Sequence, residues 1–187
     1  MRKPAAAFAS VLWFVGVGGI FGCLLPYLLN YWQFRSPLPY WDIARAIGAL
    51  LICVGLVPLV RSFVDFFRAG GTPIPVASPP RLVVNGFYAH VRNPIYVGYL
   101  VVLIGQVLLF GTLGLLIYTA ITWCVGAAAV RFYEEPRLAS KFGAEYEAYR
   151  RAVPAWRVRL HPWTPGSVKV APPEGCQPDS RQAQSDQ

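Results

Sequence analysis

The fold is decided by residues 94–130, PIYVGYLVVLIGQVLLFGTLGLLIYTAITWCVGAAAV, which run for 37 residues without one acidic or basic side chain. One straight helix of that length would be much longer than the roughly 20 residues that cross the hydrocarbon core of a bilayer. Gly111, Thr112 and Gly114 supply a break near the middle of the run. We therefore predict a tight hairpin of two membrane-spanning helices, over about 95–110 and 113–131.

The composition indicates the same class of protein. Of 187 residues, 55% are hydrophobic and 14% are charged, whereas a soluble domain carries about 25% charged residues. Two further apolar runs, over about 8–29 and 43–63, are long enough to cross a membrane. The sequence therefore predicts an all-α integral membrane protein with about four transmembrane helices in a single domain over 1–164.

The net charge of +8 does not indicate a nucleic-acid partner, because the basic residues cluster at the ends of apolar segments. The cysteines are scattered singly, without the spacing of metal ligands, so we expect no metal. Nearly all Lys and Arg residues before residue 160 fall on one side of a four-span topology, and the opposite side holds at most Arg35 and Arg45. We therefore expect the 61–94 loop and the C-terminal segment to face the cytoplasm, in a bacterial inner membrane.

Three residues inside the predicted spans indicate contacts between helices. Gly18 and Gly22 lie four residues apart in the first span, a spacing that lets another helix approach closely. Gln106 carries a polar amide into the third span, where it needs a hydrogen-bonding partner.

Outside the spans the chain changes character. Residues 69–94 are rich in Gly and Pro and predict a long cytoplasmic loop. An apolar stripe predicts an amphipathic cytoplasmic helix over 136–152. The stripe consists of Leu138, Phe142, Tyr146 and Tyr149. Residues 165–187 are rich in Pro, Ser, Gln and Asp and predict a disordered tail.

The predicted hairpin brings two polar clusters together at its open end. One is His90-Val91-Arg92-Asn93-Pro94-Ile95-Tyr96, and the other is Arg131-Phe132-Tyr133-Glu134-Glu135. Because the two ends of a hairpin meet, we expect residues 92–96 and 131–135 to be neighbours at the membrane surface. Such residues are also commonly interfacial anchors, and Arg131 could simply pair with Glu134 or Glu135 along one helix.

Two sets of residues are specific in their combined order and spacing. The first consists of Gly71-Thr72-Pro73, Leu82-Val83, Gly86-Phe87-Tyr88 and Arg92-Asn93-Pro94-Ile95-Tyr96-Val97-Gly98. The second consists of Glu134-Glu135, Leu138, Phe142-Gly143, Tyr146, Tyr149 and Val153-Pro154. Over about residues 70–157, this pattern resembles the isoprenylcysteine carboxyl methyltransferase family and the related phospholipid N-methyltransferases. Many bacterial relatives read Arg-Trp-x-Pro-Arg after Pro154, where this chain has Ala155-Trp156-Arg157-Val158-Arg159, so no role is predicted for Arg157 or Arg159.

The resemblance implies an S-adenosylmethionine-dependent methyltransferase whose cofactor binds at the cytoplasmic face, while a lipophilic acceptor enters from the membrane lipids. It also implies that Glu134 binds polar groups of the cofactor and that Arg131 orients an anionic acceptor. The predicted cofactor-binding set consists of Leu82, Val83, Tyr88, His90, Arg92, Asn93, Pro94, Ile95, Tyr96 and Glu134.

The residue types in these clusters suit that chemistry. The Arg92 guanidinium can pair with a carboxylate, a glutamate can hold an ammonium group or ribose hydroxyls, and tyrosine rings can face a sulfonium cation. The carboxylate of a prenylated cysteine needs no base, whereas a phospholipid amine must lose a proton, for which Glu135 is the candidate catalytic base. A non-catalytic membrane scaffold that retains the fold is the alternative from a different class.

Overall fold

The computed structural model describes residue 16, residues 18–68 and residues 82–164. Within them the regular structure is helical throughout. The first residues of the predicted first span, residues 69–81 of the predicted loop, and the predicted tail lie outside the described residues. The helices are α1 (Ile20–Asn30), α2 (Trp41–Arg68), α3 (Pro94–Phe110), α4 (Leu113–Phe142) and α5 (Ala144–Ala152), with a short 3-10 helix at Gly86–Ala89.

Two of these helices contain stretches long and apolar enough to cross a membrane, Trp41–Asp65 in α2 and Leu113–Phe142 in α4. Their apolar side chains face outwards: Leu50 is 62% exposed and Val125 is 64% exposed. A core helix of a soluble protein would bury such residues, so this exposure indicates lipid contact. Helix α3 is 17 residues long, and the described part of α1 is shorter, so two of the four predicted spans reach full length here.

Helices α2 and α3 pack backbone against backbone through two reciprocal glycine pairs. A Cβ atom built on Gly55 would lie 2.8 Å from the carbonyl oxygen of Gly98, and one on Gly98 would lie 2.7 Å from that of Gly55. Gly48 and Gly105 form the second pair, at 2.6 and 2.7 Å. Small residues permit this approach between membrane helices, so α3 is held against the long α2.

Helix α1 is fixed to the hairpin at a π-helical turn, Ile20–Leu24. Gln106 of α3 donates its amide to the carbonyl oxygen of Gly22 at 2.7 Å, so the partner expected for this buried amide exists. Tyr118 of α4 donates to the carbonyl oxygen of Phe21 at 2.6 Å. Gly22 also lies against the Tyr99 ring, whereas Gly18 has no neighbour within 4 Å among the residues that the structure describes. The packing contact expected of this glycine pair is therefore seen at Gly22.

The chain reverses between α3 and α4 at Gly111 and Thr112. Gly111 adopts a left-handed conformation, with φ of +66°, and its amide donates to the carbonyl oxygen of Val107. Glycine is favoured in this helix-ending conformation because it has no Cβ atom to clash. The short reversal places the N-terminal end of α3 beside the C-terminal half of α4.

The C-terminal half differs from the prediction of a span ending near 131 and a separate helix over 136–152. Helix α4 continues to Phe142, passing through a π-helical turn at Val130–Glu134. Pro136 lacks an amide hydrogen, and the wider turn before it tolerates the missing helix bond. The break falls instead at Gly143, where φ is +51°. The predicted cytoplasmic helix is therefore two helices, the end of α4 and α5.

Despite this break, the predicted stripe packs into a single cluster. Tyr146 and Tyr149 are buried together with Val84, Val153 and Trp163, and Leu138 and Phe142 pack against them. The cluster joins α5 to the chain segment that precedes α3. It therefore fixes one wall of the region where the two polar clusters meet.

Candidate functional site

The open end of the hairpin brings the two polar clusters into direct contact. The Tyr96 hydroxyl, on the first turn of α3, donates a short hydrogen bond to Oε1 of Glu134 in the π-helical turn. Arg92 Nη1 lies 2.7 Å from Oε1 of Glu135. π-helical turns are frequent at functional sites, and this one turns two consecutive glutamates towards different partners.

Glu135 lies at the centre of three guanidinium groups. Besides Arg92, Arg131 Nη1 lies 3.3 Å from its Oε2, and Arg150 Nη2 lies 3.7 Å from the same oxygen. Glu135 and Arg92 are nearly buried, with side chains 10% and 12% exposed, whereas Arg131 is 63% exposed. A buried carboxylate is tolerated because it is paired. Both oxygens of Glu135 therefore contact arginine side chains. Most of the Arg131 guanidinium remains accessible to solvent or a ligand.

Glu134 has a different partner, the Tyr96 hydroxyl, and it acts together with Asp65 on a second tyrosine, Tyr88. Within the residues that the structure describes, no ion pair to Glu134 or Asp65 is found. The Asp65 carboxylate, near the end of α2, lies against Gly86: a Cβ atom there would be 2.5 Å from its Oδ2. Burial raises the pKa of Tyr88 far above its ordinary value, and Tyr149, Glu134 and Asp65 raise it further. Two carboxylates thus act on the Tyr88 hydroxyl, which suits a cationic ligand.

His90 and Asn93 bind the C-terminal strap, which we define as residues 154–163. His90 Nδ1 lies 2.8 Å from the carbonyl oxygen of Arg159, and its own carbonyl oxygen accepts from the Arg159 amide at 2.9 Å. Asn93 Nδ2 donates to the carbonyl oxygen of Ala155 at 3.2 Å. The sequence predicts that both side chains bind the cofactor. In the structure, these atoms of His90 and Asn93 contact carbonyl oxygens of the strap. The Arg159 side chain in turn donates to the carbonyl oxygen of Ala152.

The apolar members of the predicted set are placed in two ways. Leu82 packs against the cluster around Tyr149, and Val83 beside it is half-buried. Pro94 is buried in the first turn of α3, and Ile95 next to it is half-buried. Tyr149 donates its hydroxyl to the carbonyl oxygen of Tyr88 at 2.7 Å, which fixes the 3-10 helix over this region.

An apolar cavity of about 320 Å³ extends into the bundle from Tyr96. Its walls come from α1, α3 and α4, and Gly126 leaves room for the Tyr96 ring, because a Cβ atom there would lie 3.2 Å from it. The volume is at the lower end of the range for ligand pockets, roughly 300–1,000 Å³. The lining residues are Phe21, Tyr96, Tyr99, Leu100, Leu103, Thr122, Trp123, Val125, Gly126 and Ala129.

Three residues of this region were not predicted from the sequence. Asp65 lies six residues before Gly71, where the first motif that carried the resemblance begins, and only the fold brings it to Gly86. Arg150 contributes to the predicted excess of basic residues on the cytoplasmic side, and only the fold brings it to Glu135. Trp156 packs with ring centroids 4.6 Å from Trp123 and 6.4 Å from Tyr96. The match of Trp156 to the tryptophan of bacterial relatives was the one available signal.

The family model described as phospholipid methyltransferase matches residues 43–145, which include nearly all of α2, the hairpin and both polar clusters. The chain belongs to this family. No solved structure gives a significant match.

Proteins that are similar to this chain carry several names. A protein-S-isoprenylcysteine O-methyltransferase of Schizosaccharomyces pombe is 37% identical over 75 residues, 40% of this chain and 31% of that protein's length. A probable enzyme of the same name from Oryza sativa subsp. indica is 28% identical over 138 residues, 70% and 69% of the two chains. Methanethiol S-methyltransferase 1 of Bradyrhizobium diazoefficiens is 29% identical over 154 residues, 74% of this chain and 51% of that protein. This chain is therefore a membrane member of a methyltransferase family.

Proposed function

We propose that this protein transfers a methyl group from S-adenosylmethionine to the carboxylate of a lipophilic acceptor, such as a prenylated cysteine. The observation that carries the proposal is the junction at Tyr96. On one side of this residue lies the Glu134 carboxylate, which suits a cationic cofactor, and on the other lies an apolar cavity. A transferred methyl group must pass between two such sites.

The polar half of the junction fits the proposed cofactor. S-adenosylmethionine supplies a methyl group on a sulfonium cation and also carries an ammonium group. Glu134 and Asp65 provide negative charge near the Tyr88 hydroxyl, and the faces of Tyr88 and Tyr96 suit contact with a cation. Glu134 is thus the proposed cofactor-binding carboxylate, with Asp65 added to the set predicted from the sequence.

The acceptor half follows from the cavity and from Arg131. The cavity lining is almost wholly apolar, which suits a prenyl or acyl chain drawn from the bilayer. The Arg131 guanidinium is bound to Glu135 through one nitrogen and remains mostly exposed. Its planar fork can hold an acceptor carboxylate at the membrane boundary. Alignment of acceptor and methyl donor supplies most of the rate in such a displacement.

The proton balance favours a carboxylate acceptor. An acceptor carboxylate oxygen forms the new bond to the methyl carbon, the bond from carbon to sulfur breaks, and its electrons stay with sulfur. No proton moves in this step, so no base is required. Glu135, the base predicted for an amine acceptor, has both oxygens within reach of arginines. We therefore propose that Glu135 positions Arg92 and Arg131.

A phospholipid amine is the second candidate acceptor. It is favoured by Glu134, whose Oε1 accepts from Tyr96 and whose second oxygen has no partner among the residues described. That oxygen is available to take a proton.

The test incubates the purified protein with methyl-labelled S-adenosylmethionine and one acceptor at a time, followed by extraction of lipids. The acceptors are N-acetyl-S-farnesylcysteine and phosphatidylethanolamine vesicles. Label that is released by mild base, as expected for a methyl ester, supports the carboxylate. Base-stable label in the phospholipid supports the amine. Cofactor binding without either product would overturn the proposed acceptors, and the absence of cofactor binding would favour a non-catalytic scaffold.

We also propose that the site faces the cytoplasm, as the excess of basic residues on that side predicts. Reporter fusions after Arg68 and after Arg159 should both give a cytoplasmic signal. A signal from the opposite side at either point would contradict this orientation.

A further inference from the structure

The C-terminal strap is bonded along its length to residues 89–93, the segment that directly precedes α3. The Arg92 amide donates to the carbonyl oxygen of Pro154 at 3.0 Å, and the Trp163 amide donates to that of Ala89 at 3.0 Å. The bonds of His90 and Asn93 described above lie between these two points. Residues at the centre of the family motif are therefore committed to holding the strap in place.

Between these bonds the strap carries one aromatic side chain to the cavity wall. The Trp156 ring meets the Trp123 ring at 67° and the Tyr96 ring at 86°. Trp123 and Tyr96 both line the apolar cavity, whereas Trp156 lies behind them. The Tyr96 ring also meets Gly126, where a Cβ atom would lie 3.2 Å from it. The ring is thus held by contacts with Gly126 and Trp156, while its hydroxyl is bound to Glu134.

We propose that Trp156 is a positioning residue that sets the width of the cavity at its end next to Glu134, and so selects acceptors by the size of the group beside the reacting carboxylate. This inference rests on the proposed methyl transfer to a carboxylate. Edge-to-face aromatic contacts favour a narrow range of ring positions. Without the indole ring, Tyr96 and Trp123 lose a packing contact that they share. An acceptor with a bulkier head group can then enter the cavity.

The test compares two acceptors that share the farnesyl chain and differ at the head, N-acetyl-S-farnesylcysteine and N-benzoyl-S-farnesylcysteine. The full-length protein and its variants are assayed for kcat and KM with both. Trp156→Ala should raise the benzoyl-to-acetyl ratio of kcat/KM at least fivefold, mainly through KM, while the Kd for S-adenosylmethionine changes less than twofold. Trp156→Phe keeps a ring and should stay within twofold of the wild-type ratio.

Trp163→Phe is the matched control in the same strap. Trp163 is buried in the cluster around Tyr149 and does not line the cavity, so this variant should lower the thermal unfolding temperature without moving the ratio. Equal losses for both acceptors in Trp156→Ala would show a merely structural role and overturn the proposal, as would an equal shift of the ratio in Trp163→Phe. If the wild-type protein methylates neither acceptor, the proposed acceptor class is wrong. The proposal for Trp156, which rests on that class, is then overturned as well.

Discussion

Tyr96 donates a hydrogen bond to Glu134 across the open end of the α3–α4 hairpin. The two residues lie 38 positions apart in the chain, yet they form the boundary between an apolar cavity and a polar site. The bond orients the Glu134 carboxylate, and the same tyrosine lines the cavity. A change at either residue is therefore expected to affect both halves of the proposed site.

Glu134→Gln should weaken binding of S-adenosylmethionine at least tenfold, about 1.4 kcal/mol of binding free energy. Glutamine keeps the size of the side chain and can still bond to Tyr96, but it removes the negative charge that is proposed to hold a cationic group. Isothermal titration calorimetry in detergent gives the Kd. Glu145→Gln is the control, because Glu145 is exposed on α5. Equal affinity in wild type and Glu134→Gln would remove Glu134 from the cofactor site.

Gly98→Ala should destabilise the protein by about 1–3 kcal/mol, the usual cost of overpacking. The added methyl group would lie 2.7 Å from the carbonyl oxygen of Gly55 and 3.1 Å from the amide nitrogen of Leu59, and backbone atoms cannot move aside cheaply. Gly114→Ala is the control, since its nearest neighbour would be 3.8 Å away. Thermal unfolding in detergent measures both variants. Similar unfolding temperatures for the two would contradict the close contact of α2 and α3.

The sequence was sufficient to predict the hairpin and the meeting of its two polar ends, because charge-free length and one glycine break are local signals. The glycine pairs of α2 and α3 were not predicted. Gly48 and Gly55 lie seven residues apart, and their partners are known only when α2 and α3 are aligned. The break at Gly143 was missed because the apolar stripe continues across it.

Within the candidate site, the sequence predicted which two clusters meet but not every bonding partner of their residues. The pairing of Arg92 with Glu135 and the position of Glu134 depend on the hairpin, which was predicted. His90 and Asn93 instead bond to Arg159 and Ala155, which lie 69 and 62 positions away in the chain. No periodicity indicates such contacts. The position of Asp65 in the site was not predicted either, because its approach to Gly86 is also a long-range contact and depends on how α2 packs.

Alkaline pH should destabilise the protein partly through Tyr149. Burial raises the pKa of this phenol well above its ordinary value of 10, so the folded state holds the proton more tightly than the unfolded chain. Its contribution is fully present below about pH 10 and is lost as pH rises above that value. Tyr149→Phe removes this group and also the hydrogen bond to the carbonyl oxygen of Tyr88, which contributes about 1 kcal/mol.

Thermal unfolding at pH 8 and pH 11 distinguishes the two effects. Wild type should be more stable than Tyr149→Phe at pH 8, and the difference should shrink at pH 11. Tyr40→Phe is the control, because Tyr40 is 87% exposed and should follow wild type at both values. A difference between wild type and Tyr149→Phe that grows with pH would reverse the sign and contradict the burial of a neutral phenol.

Arg131→Lys separates acceptor binding from a simple salt bridge. Lysine keeps the positive charge beside Glu135 but loses the planar fork of the guanidinium. If Arg131 orients an acceptor carboxylate, kcat/KM for N-acetyl-S-farnesylcysteine should fall at least tenfold, about 1.4 kcal/mol of transition-state stabilisation. The Kd for S-adenosylmethionine should stay within twofold, because Arg131 contacts Glu135 rather than Glu134. Arg157→Lys, at an exposed position of the strap, should leave both quantities unchanged. Full activity in Arg131→Lys would show that this residue only forms a salt bridge on the surface of α4. A loss confined to cofactor affinity would show that Arg131 belongs to the cofactor site.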